Sequence, residues 1–255
     1  MKGLRRGVRT SSSGQLFLVA ALAVAILISS TTMYIYRLTS ISCSSASQSI
    51  SDLLFALKQS TLNTLTSSLV NASRGGEVTA LTNNLHSLSL LIRNCYQPEV
   101  CHLAFSVANE SHYDSGILLS WDTNGRGLSS VCANFTLQIS GSVSISEEYG
   151  LNITTATIIE GSYARLDDER QLVLVTCNVL NEGRPALARN VSLYYLSSGR
   201  WMPVNASHNL SIVDRGVGTY TMSFVVDSIS PLEVSVHSYD MRGIFIRANT
   251  TCHEV

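Results

Sequence analysis

The sequence lacks the short motifs that mark common catalytic sites. It contains no H-E-x-x-H, no G-x-S-x-G, no phosphate-binding loop and no dinucleotide-binding fingerprint. Its six histidines are scattered, and His237 shares a predicted strand face with Ser235 and Tyr239, which favours a solvated surface position. We therefore predict that the protein is not an enzyme and has no catalytic, cofactor-binding or metal-binding residues.

Acidic side chains occur in two short clusters, Glu147-Glu148 and Asp167-Asp168-Glu169. Neither cluster has a basic or nucleophilic partner at a fixed spacing, which argues against catalysis by paired carboxylates. Carboxylate oxygens of this kind also bind Ca²⁺ in surface β modules. Acidic turns are common at strand ends, however, so we expect both clusters to be solvated turn residues.

Charge is missing from much of the N-terminal part. No acidic residue precedes residue 50 and no charged residue lies between Thr10 and Tyr36, whereas four basic residues come before this stretch: Lys2, Arg5, Arg6 and Arg9. Because all 18 acidic residues lie beyond residue 50, the rest of the chain is mildly acidic. An acidic surface argues against nucleic acid or anionic lipid as a ligand.

The stretch from Gln15 to Ile35 is an uncharged run of 21 residues, dominated by Leu, Val, Ala and Ile. A helix that rises about 1.5 Å per residue would span roughly 30 Å here, the thickness of a hydrocarbon core. The run is longer than the core of a cleaved signal peptide, and the segment SSTTMYIYR in which it ends has no A-x-A cleavage pattern. We therefore predict a basic cytoplasmic tail over residues 1–13 and a retained transmembrane helix over residues 14–37. The protein is then a single-pass protein of the cell membrane with its C-terminal region outside the cytoplasm.

Cysteine usage agrees with export. No two cysteines have C-x-x-C spacing, which argues against zinc binding or a thioredoxin-like site. All six follow the predicted anchor: Cys43, Cys95, Cys101, Cys132, Cys177 and Cys252. Exported proteins commonly form disulfides, so we expect the pairs Cys95–Cys101 and Cys177–Cys252, which leaves Cys43–Cys132. The alternative is buried free thiols.

Eight asparagines begin an N-x-[ST] sequence, and all lie on the predicted outer side of the membrane. This pattern fits a glycosylated surface protein in which some of these sites carry a glycan. The predicted sites are Asn71, Asn109, Asn134, Asn152, Asn190, Asn205, Asn209 and Asn249.

Residues 43–97 read as a membrane-proximal helical region. Apolar residues from Ile50 to Leu69 recur at spacings of three and four, Gly75-Gly76 breaks the pattern, and a second helix is predicted from Val78 to Cys95. Its apolar stripe consists of Leu81, Leu85, Leu88 and Leu91. One interpretation is that the two helices form a stalk or bind a partner. The favoured interpretation is that both helices pack on the β-rich remainder of the chain.

From residue 101 the pattern has a period of two. Residues 115–122 and 125–145 read as a hairpin that turns at Thr123-Asn124-Gly125. In the segment LVLVTCNV both faces are apolar, including Leu172 and Leu174, which predicts a central strand. Further short strands follow at regular intervals, as in an antiparallel β-sandwich. We divide this part into a β-rich segment, 101–149, and a domain, 150–255, that either pack separately or share one sheet.

Four aromatic residues are candidates for contact with a sugar or a partner protein: Trp121, Trp201, Tyr194 and Tyr195. Adjacent residues of a strand point to opposite faces, so Tyr194 and Tyr195 should lie on different sides of their sheet. Packing in the core or at a sheet edge is an equally good interpretation of these side chains.

The segments VTCNVLNEGRPALARNVSLYY and DRGVGTYTMSFVVD resemble parts of immunoglobulin-like domains of bacterial and archaeal surface proteins. The resemblance covers about residues 150–250. The D-x-G-x-G-T-Y-T pattern leads into a core strand in such domains, which implies that Tyr220, Met222, Phe224 and Val226 point into the core. Tyr220 would act as a tyrosine corner. This domain type serves as spacer, stalk or adhesin, so it indicates a fold rather than one function.

The N-terminal part is similar to archaeal membrane-anchored proteins of pilin-like design, which have a short basic tail, an apolar helix and a β domain. Proteins of that design are cut after a glycine, and the equivalent bond here is Gly14–Gln15. The chain departs from their pattern at two positions, because Ser13 replaces a basic residue and Val19 stands where many pilins have Glu.

The predicted protein is mainly β with N-terminal helices: a transmembrane helix, two amphipathic helices and an immunoglobulin-like sandwich. We predict a non-catalytic cell-surface protein with a structural, adhesion or interaction role. Its expected partners are the membrane, through residues 14–37, and other surface proteins, glycans or copies of itself, but no nucleic acid and no cofactor. The alternatives are a pilin-like filament subunit processed after Gly14 and an extracytoplasmic ligand-binding or enzyme domain.

Overall fold

A computed structural model describes residues 50–96, 101–110, 112–121, 124–140, 144–228 and 231–255. The predicted tail, the transmembrane helix, the Gly14–Gln15 bond and Cys43 lie outside these residues. Among the residues described, no helix is both long and apolar enough to cross a membrane. The chain divides into two compact units, Met1–Leu53 and Leu54–Val255, and nearly all of the described structure belongs to the second unit.

Two helices open the described chain, as the apolar spacing predicts. Helix α1 covers Ile50–Ser73 and helix α2 covers Ala80–Tyr96. Helix α1 ends before Gly75, whose φ of 95° favours glycine, so the predicted break at Gly75-Gly76 is confirmed. In α2, Leu81, Leu85 and Ile92 are buried, whereas Leu91 is 60 % exposed. The predicted stripe is therefore wrong at its end, because the 3.6-residue period brings Ile92 rather than Leu91 to the buried face.

The strands form two sheets that are almost entirely antiparallel. Sheet A has nine strands, with β1-β3-β4-β5-β10-β9 as its main order, and sheet B has the order β12-β11-β7-β8. The strands are β1 Cys101–Val107, β2 Ile117–Trp121, β3 Arg126–Ile139, β4 Ile145–Arg165, β5 Arg170–Asn181, β6 Arg184–Pro185, β7 Ala188–Ser197, β8 Arg200–Pro203, β9 Ser211–Asp214, β10 Thr219–Asp227, β11 Glu233–Asp240, β12 Phe245–Thr251 and β13 His253–Glu254. The predicted hairpin is confirmed, since β2 pairs with β3 from Ile117↔Val131 to Trp121↔Gly127.

Strand β4 connects the two predicted β segments. It is 21 residues long and pairs with β3 through its first part and with β5 through its second. The division drawn at residues 149 and 150 therefore falls inside a continuous strand, and both segments share sheet A. Because β4 is this long, two different layers pack on the same face of sheet A, one against each part of the strand.

The first layer on this face is the helical hairpin. Thr61 Oγ1 lies 3.2 Å from the Tyr149 hydroxyl, Lys58 pairs with Glu147, and Ser89 Oγ donates a hydrogen bond of 2.8 Å to the Leu103 carbonyl. The helices thus pack on β1 and β4, which confirms the favoured interpretation of the sequence.

The second layer is sheet B, which shares one core with the β4, β5 and β10 part of sheet A. Tyr220, Met222, Phe224 and Val226 all point into this core, as predicted. The core residues are Ile159, Tyr163, Val173, Val175, Cys177, Val179, Leu193, Val204, Tyr220, Met222, Phe224, Val226, Leu232, Val234, Val236, Ala248 and Cys252. Strand β5 lies between β4 and β10 in sheet A, so the prediction of a central strand is confirmed. Its two faces are not both buried, however, since Leu174 on the face away from the core is 43 % exposed.

The two sheets meet along one edge. Gly125 N donates a hydrogen bond of 2.7 Å to the Asn249 carbonyl, and Ser129 Oγ donates one of 2.8 Å to the Phe245 carbonyl. Between these contacts, Gly127 lies directly against the carbonyl of Arg247. The free edge of β12 thus rests on the backbone of β3, and β2, which pairs with β3, extends over the outer side of β12.

Candidate functional site

The side of sheet B that faces away from the core carries a cluster of rings. In β11, Val234 and Val236 are buried in the core, so the alternation of a strand turns Ser235, His237 and Tyr239 to the opposite side. Tyr194 of β7 and Phe245 of β12 lie on neighbouring strands of the same side. Together with Trp121 of β2, these rings form what we call the aromatic corner: Trp121, Tyr194, His237, Tyr239 and Phe245.

The rings of the aromatic corner contact one another in a continuous row. The centroids of Tyr194 and His237 are 4.4 Å apart, and those of His237 and Phe245 are 5.5 Å apart. Phe245 also meets Trp121 edge-on at 5.3 Å and Tyr239 at 5.2 Å. All five side chains are half-buried, so each retains a solvent-accessible part. Pairs of this geometry add about 0.5–1.5 kcal/mol beyond the burial of their area.

Two residues from outside sheet B, Trp121 of β2 and Arg74 after α1, flank the rings on opposite sides. Trp121 Nε1 donates a hydrogen bond of 3.3 Å to Ser129 Oγ, which anchors the ring at the junction of the two sheets. At the other side, Arg74 follows α1 and lies 5.3 Å from the centre of the Tyr239 ring, and its Nη2 donates a hydrogen bond of 2.8 Å to the Gly243 carbonyl. The rings are therefore held in place by contacts between distant parts of the chain.

Three polar atoms beside the rings are buried without a hydrogen-bond partner: Ser235 Oγ, Asn249 Oδ1 and Arg247 Nε. They are close together because Ser235 pairs with Asn249 and His237 pairs with Arg247 in the register of β11 and β12. The Arg247 guanidinium lies 5.2 Å from the centre of the Trp121 ring. Unsatisfied buried polar atoms are rare in folded proteins, and such a concentration indicates a site that water or a ligand completes.

The prediction of a solvated surface position for His237 is wrong. Its ring lies between Tyr194 and Phe245, and burial lowers its pKa to about 4, to which the positive charge of Arg247 also contributes. The charged or titratable groups in contact with it are Arg247 from β12 and Tyr194 from β7. The aromatic corner therefore contains a neutral imidazole at neutral pH.

We expect His237 to make the protein sensitive to mild acid. The unfolded chain binds a proton at this residue near pH 6.5 and the folded chain only near pH 4. The stabilisation from a neutral His237 is therefore complete above pH 6.5 and is lost as the pH falls toward 4. At about 1.4 kcal/mol per pKa unit, reduced for partial exposure, the loss is about 2 kcal/mol. Urea unfolding of His237→Gln should show a smaller decrease in free energy between pH 7 and pH 4.5 than wild type.

The matched control is His102→Gln, because His102 is exposed on β1. This variant should keep the pH dependence of the wild type. An unchanged pH dependence in His237→Gln would show that the imidazole is solvated in the folded protein.

The other predicted aromatic residues lie elsewhere. Tyr195 points to the core side, where its ring lies 6.1 Å from that of Phe224 and its hydroxyl lies 3.3 Å from His208 Nε2. The prediction that Tyr194 and Tyr195 face opposite sides is therefore confirmed. Trp201 is on the edge strand β8 and is 38 % exposed.

The five described cysteines carry free thiols. The expected pairs Cys95–Cys101 and Cys177–Cys252 are therefore not formed in the structure, and the Cys43–Cys132 pair involves a residue outside the description. Cys177 Sγ lies 3.2 Å from Thr157 Oγ1, and Cys252 packs against Gly161. Burial raises the pKa of Cys177 to about 11 and that of Cys252 to about 12, so both thiols stay protonated at neutral pH.

The predicted glycosylation sites differ in accessibility. Asn249 is half-buried, and its Oδ1 is one of the buried unpartnered atoms. The other seven asparagines are exposed: Asn71, Asn109, Asn134, Asn152, Asn190, Asn205 and Asn209. An acceptor amide must be accessible to be modified, so the geometry disfavours Asn249, and occupancy of the others stays a prediction.

The acidic clusters have ordinary structural contacts. Glu147 lies within β4 rather than in a turn and pairs with Lys58, which corrects the expectation for that residue. Asp167 does lie in a turn, where the hydrogen bond from the Arg170 side chain lowers its pKa most, and the hydrogen bonds from Glu169 N and Arg170 N lower it further. In the part of the chain that the structure covers, no three His, Cys, Asp or Glu side chains converge as a metal site.

Sequence reasoning named Trp121 and Tyr194 but missed Phe245 and Arg247. It assigned Asn249 to glycosylation and placed Ser235 on a solvated strand face. These residues have the correct two-residue spacing on β11 and β12, but only the cross-strand register shows that they adjoin the two aromatic residues. No protein-family model matches the chain, and a comparison with curated proteins finds no significant match.

Proposed function

We propose that this protein is a non-catalytic, membrane-anchored protein of the cell surface that recognises a partner through the aromatic corner. The observation that carries this proposal is the combination, on one face of sheet B, of half-exposed rings with buried polar atoms that have no partner. Surfaces that bind proteins or sugars are enriched in tyrosine, tryptophan and arginine, because such side chains supply apolar contact area and hydrogen-bonding groups together.

We also propose that the part built on sheet B and its core partners is immunoglobulin-like. Two facing antiparallel layers and the D-x-G-x-G-T-Y-T segment support this proposal. Tyr220 does not support it as a tyrosine corner would, because its hydroxyl accepts a hydrogen bond of 2.9 Å from Ala188 N. The partner of this hydroxyl is 32 residues upstream, whereas the hydroxyl of a tyrosine corner bonds to backbone only a few residues upstream.

The proposed location at the cell surface rests on the apolar run over residues 14–37 and on the exposure of seven sequons. The basic residues before the run support an orientation with the other end of the chain outside the cytoplasm. Intact mass of the purified protein separates the anchor from the pilin-like alternative: a chain that starts at Met1 retains its anchor, and one that starts at Gln15 is processed.

The recognition role is tested with the full-length protein in lipid nanodiscs on an array that carries neutral glycans, acidic glycans and the protein itself. We expect saturable binding to at least one of these classes. Tyr194→Ala should weaken this binding at least about tenfold, because it removes a half-exposed aromatic side chain from the aromatic corner.

The control variant is Leu174→Ala, which removes an exposed side chain from the far face of sheet A. It should bind as the wild type does. The proposal is overturned if no class binds, or if Tyr194→Ala binds as tightly as Leu174→Ala.

A further inference from the structure

Arg247 differs from the other half-buried cations of the described structure. Arg242 pairs with Asp240 and Glu182 through contacts of 2.7 Å each, and Lys58 pairs with Glu147. Arg247 has no carboxylate partner within the described residues, and its Nε is buried without any acceptor. Its guanidinium makes a cation–π contact with the Trp121 ring instead. A guanidinium in partial burial is stabilised by an anion, so this cation lacks the group that the fold supplies to the others.

The atoms around Arg247 also lack partners. Ser235 is 1 % exposed, and its Oγ has no hydrogen bond. The same is true of Asn249 Oδ1 on the neighbouring strand. The aromatic corner therefore contains a charged donor, the Arg247 guanidinium, that prefers an anion. Beside it lie two buried oxygens, Ser235 Oγ and Asn249 Oδ1, that can accept hydrogen bonds from hydroxyl groups.

The rings define the remaining chemistry of the site. Tyr194 and Phe245 lie on either side of His237, Trp121 contacts Phe245, and the guanidinium lies 5.2 Å from the centre of the Trp121 ring. Aromatic faces bind the C–H face of a pyranose ring, whereas a flexible acidic peptide side chain has no such face. Arg also binds a carboxylate through two parallel hydrogen bonds, which fixes its orientation.

We propose that the aromatic corner binds a carboxylate-bearing sugar, with the carboxylate on Arg247, the hydroxyls toward Asn249 and Ser235, and the sugar ring against the aromatic side chains. This inference deepens the proposed recognition role and rests on it. It identifies the partner as an acidic glycan of the uronic acid type, and it assigns the recognition of charge to one residue.

The test uses the fluorescence of Trp121. The chain has two tryptophans, so Trp201→Phe in the full-length protein leaves Trp121 as the sole reporter, in contact with Arg247. Methyl glucuronide should change its emission in a saturable manner, and methyl glucoside, which lacks the carboxylate, should not. Adding Arg247→Gln should weaken glucuronide binding at least about tenfold, which is the effect expected from the loss of a charge-assisted pair.

Two controls accompany the titration. Arg200→Gln removes an exposed cation from the edge of the same sheet and should leave binding unchanged. Arg247→Lys keeps the charge but not the bidentate geometry and should bind with intermediate affinity. The urea midpoint of each variant is measured alongside, so that a loss of folding is distinguished from a loss of binding.

The proposal is overturned if glucuronide fails to bind, if glucoside or N-acetylglutamate binds equally well, or if Arg247→Gln binds as wild type does. Binding of a neutral glycan or a second copy of the protein that depends on Tyr194 but not on Arg247 would overturn this inference alone. In that case the recognition role would stand.

Discussion

Gly127→Ala is expected to destabilise the protein by about 3 kcal/mol, the upper end of the range for overpacking, because the added methyl group would meet rigid backbone. An ideal Cβ at this position would lie 2.2 Å from the Arg247 carbonyl oxygen and 2.8 Å from its carbon. Neither side can withdraw easily, because β3 pairs with β2 and β4 while β12 is held by β11. Urea unfolding of the full-length protein, followed by circular dichroism, measures the loss.

The matched control is Gly150→Ala, a glycine within β4 whose added Cβ would meet only the end of the Asn134 side chain. Because that side chain can rotate, the free energy of unfolding should change by less than about 1 kcal/mol. Equal stability of Gly127→Ala and wild type would show that the two sheets can separate at this junction without cost.

The role of Gly127 illustrates which part of the fold the sequence reveals. The segment TNGRG reads as a turn followed by a strand, and the hairpin it predicts is present. The same glycine also allows the backbones of the two sheets to come into contact. Its partner in this contact is Arg247, which is 120 positions away in the chain. Local periodicity contains no information about such a contact.

Strand β4 illustrates the same limit. The sequence predicts a boundary between two β segments near Gly150, yet the strand runs continuously from Ile145 to Arg165. Its inner face is covered first by the helices and then by sheet B, so every second residue from Ile145 to Tyr163 is half-buried or buried. The prediction of inward positions succeeded in β10, where alternation from Tyr220 to Val226 is uninterrupted.

For the candidate site, alternation identified Tyr194 as an outward residue but could not show what lies beside it. His237 was assigned to solvent because its strand neighbours, Ser235 and Tyr239, are polar. Its burial comes instead from Tyr194 and Phe245 on adjacent strands. The aromatic corner is thus formed by the cross-strand register of β7, β11 and β12. The sequence of any one strand does not show which residues of the other strands lie beside it.

Asp240 is the second position where a single change should have a large effect. It is fully buried, and its Oδ2 accepts hydrogen bonds from Arg242 Nε at 2.7 Å and from Thr155 Oγ1 at 3.0 Å. Its Oδ1 accepts a third, of 2.8 Å, from Ile244 N. Arg242 continues the network to Glu182 at 2.7 Å, so one carboxylate joins the β11–β12 turn to β4 and to the end of β5.

We expect Asp240→Ala to lower the free energy of unfolding by about 3–5 kcal/mol, because it leaves the half-buried Arg242 and the Ile244 amide without their acceptor. Asp240→Asn keeps the shape of the side chain but not its charge and should lower the free energy of unfolding by less. Asp168→Ala, at an exposed acidic turn, is the control and should change stability by no more than about 0.5 kcal/mol. Urea unfolding at neutral pH gives all three values. If Asp240→Ala matched the control, Arg242 would be satisfied by Glu182 and solvent, and the buried carboxylate would not be what fixes this turn.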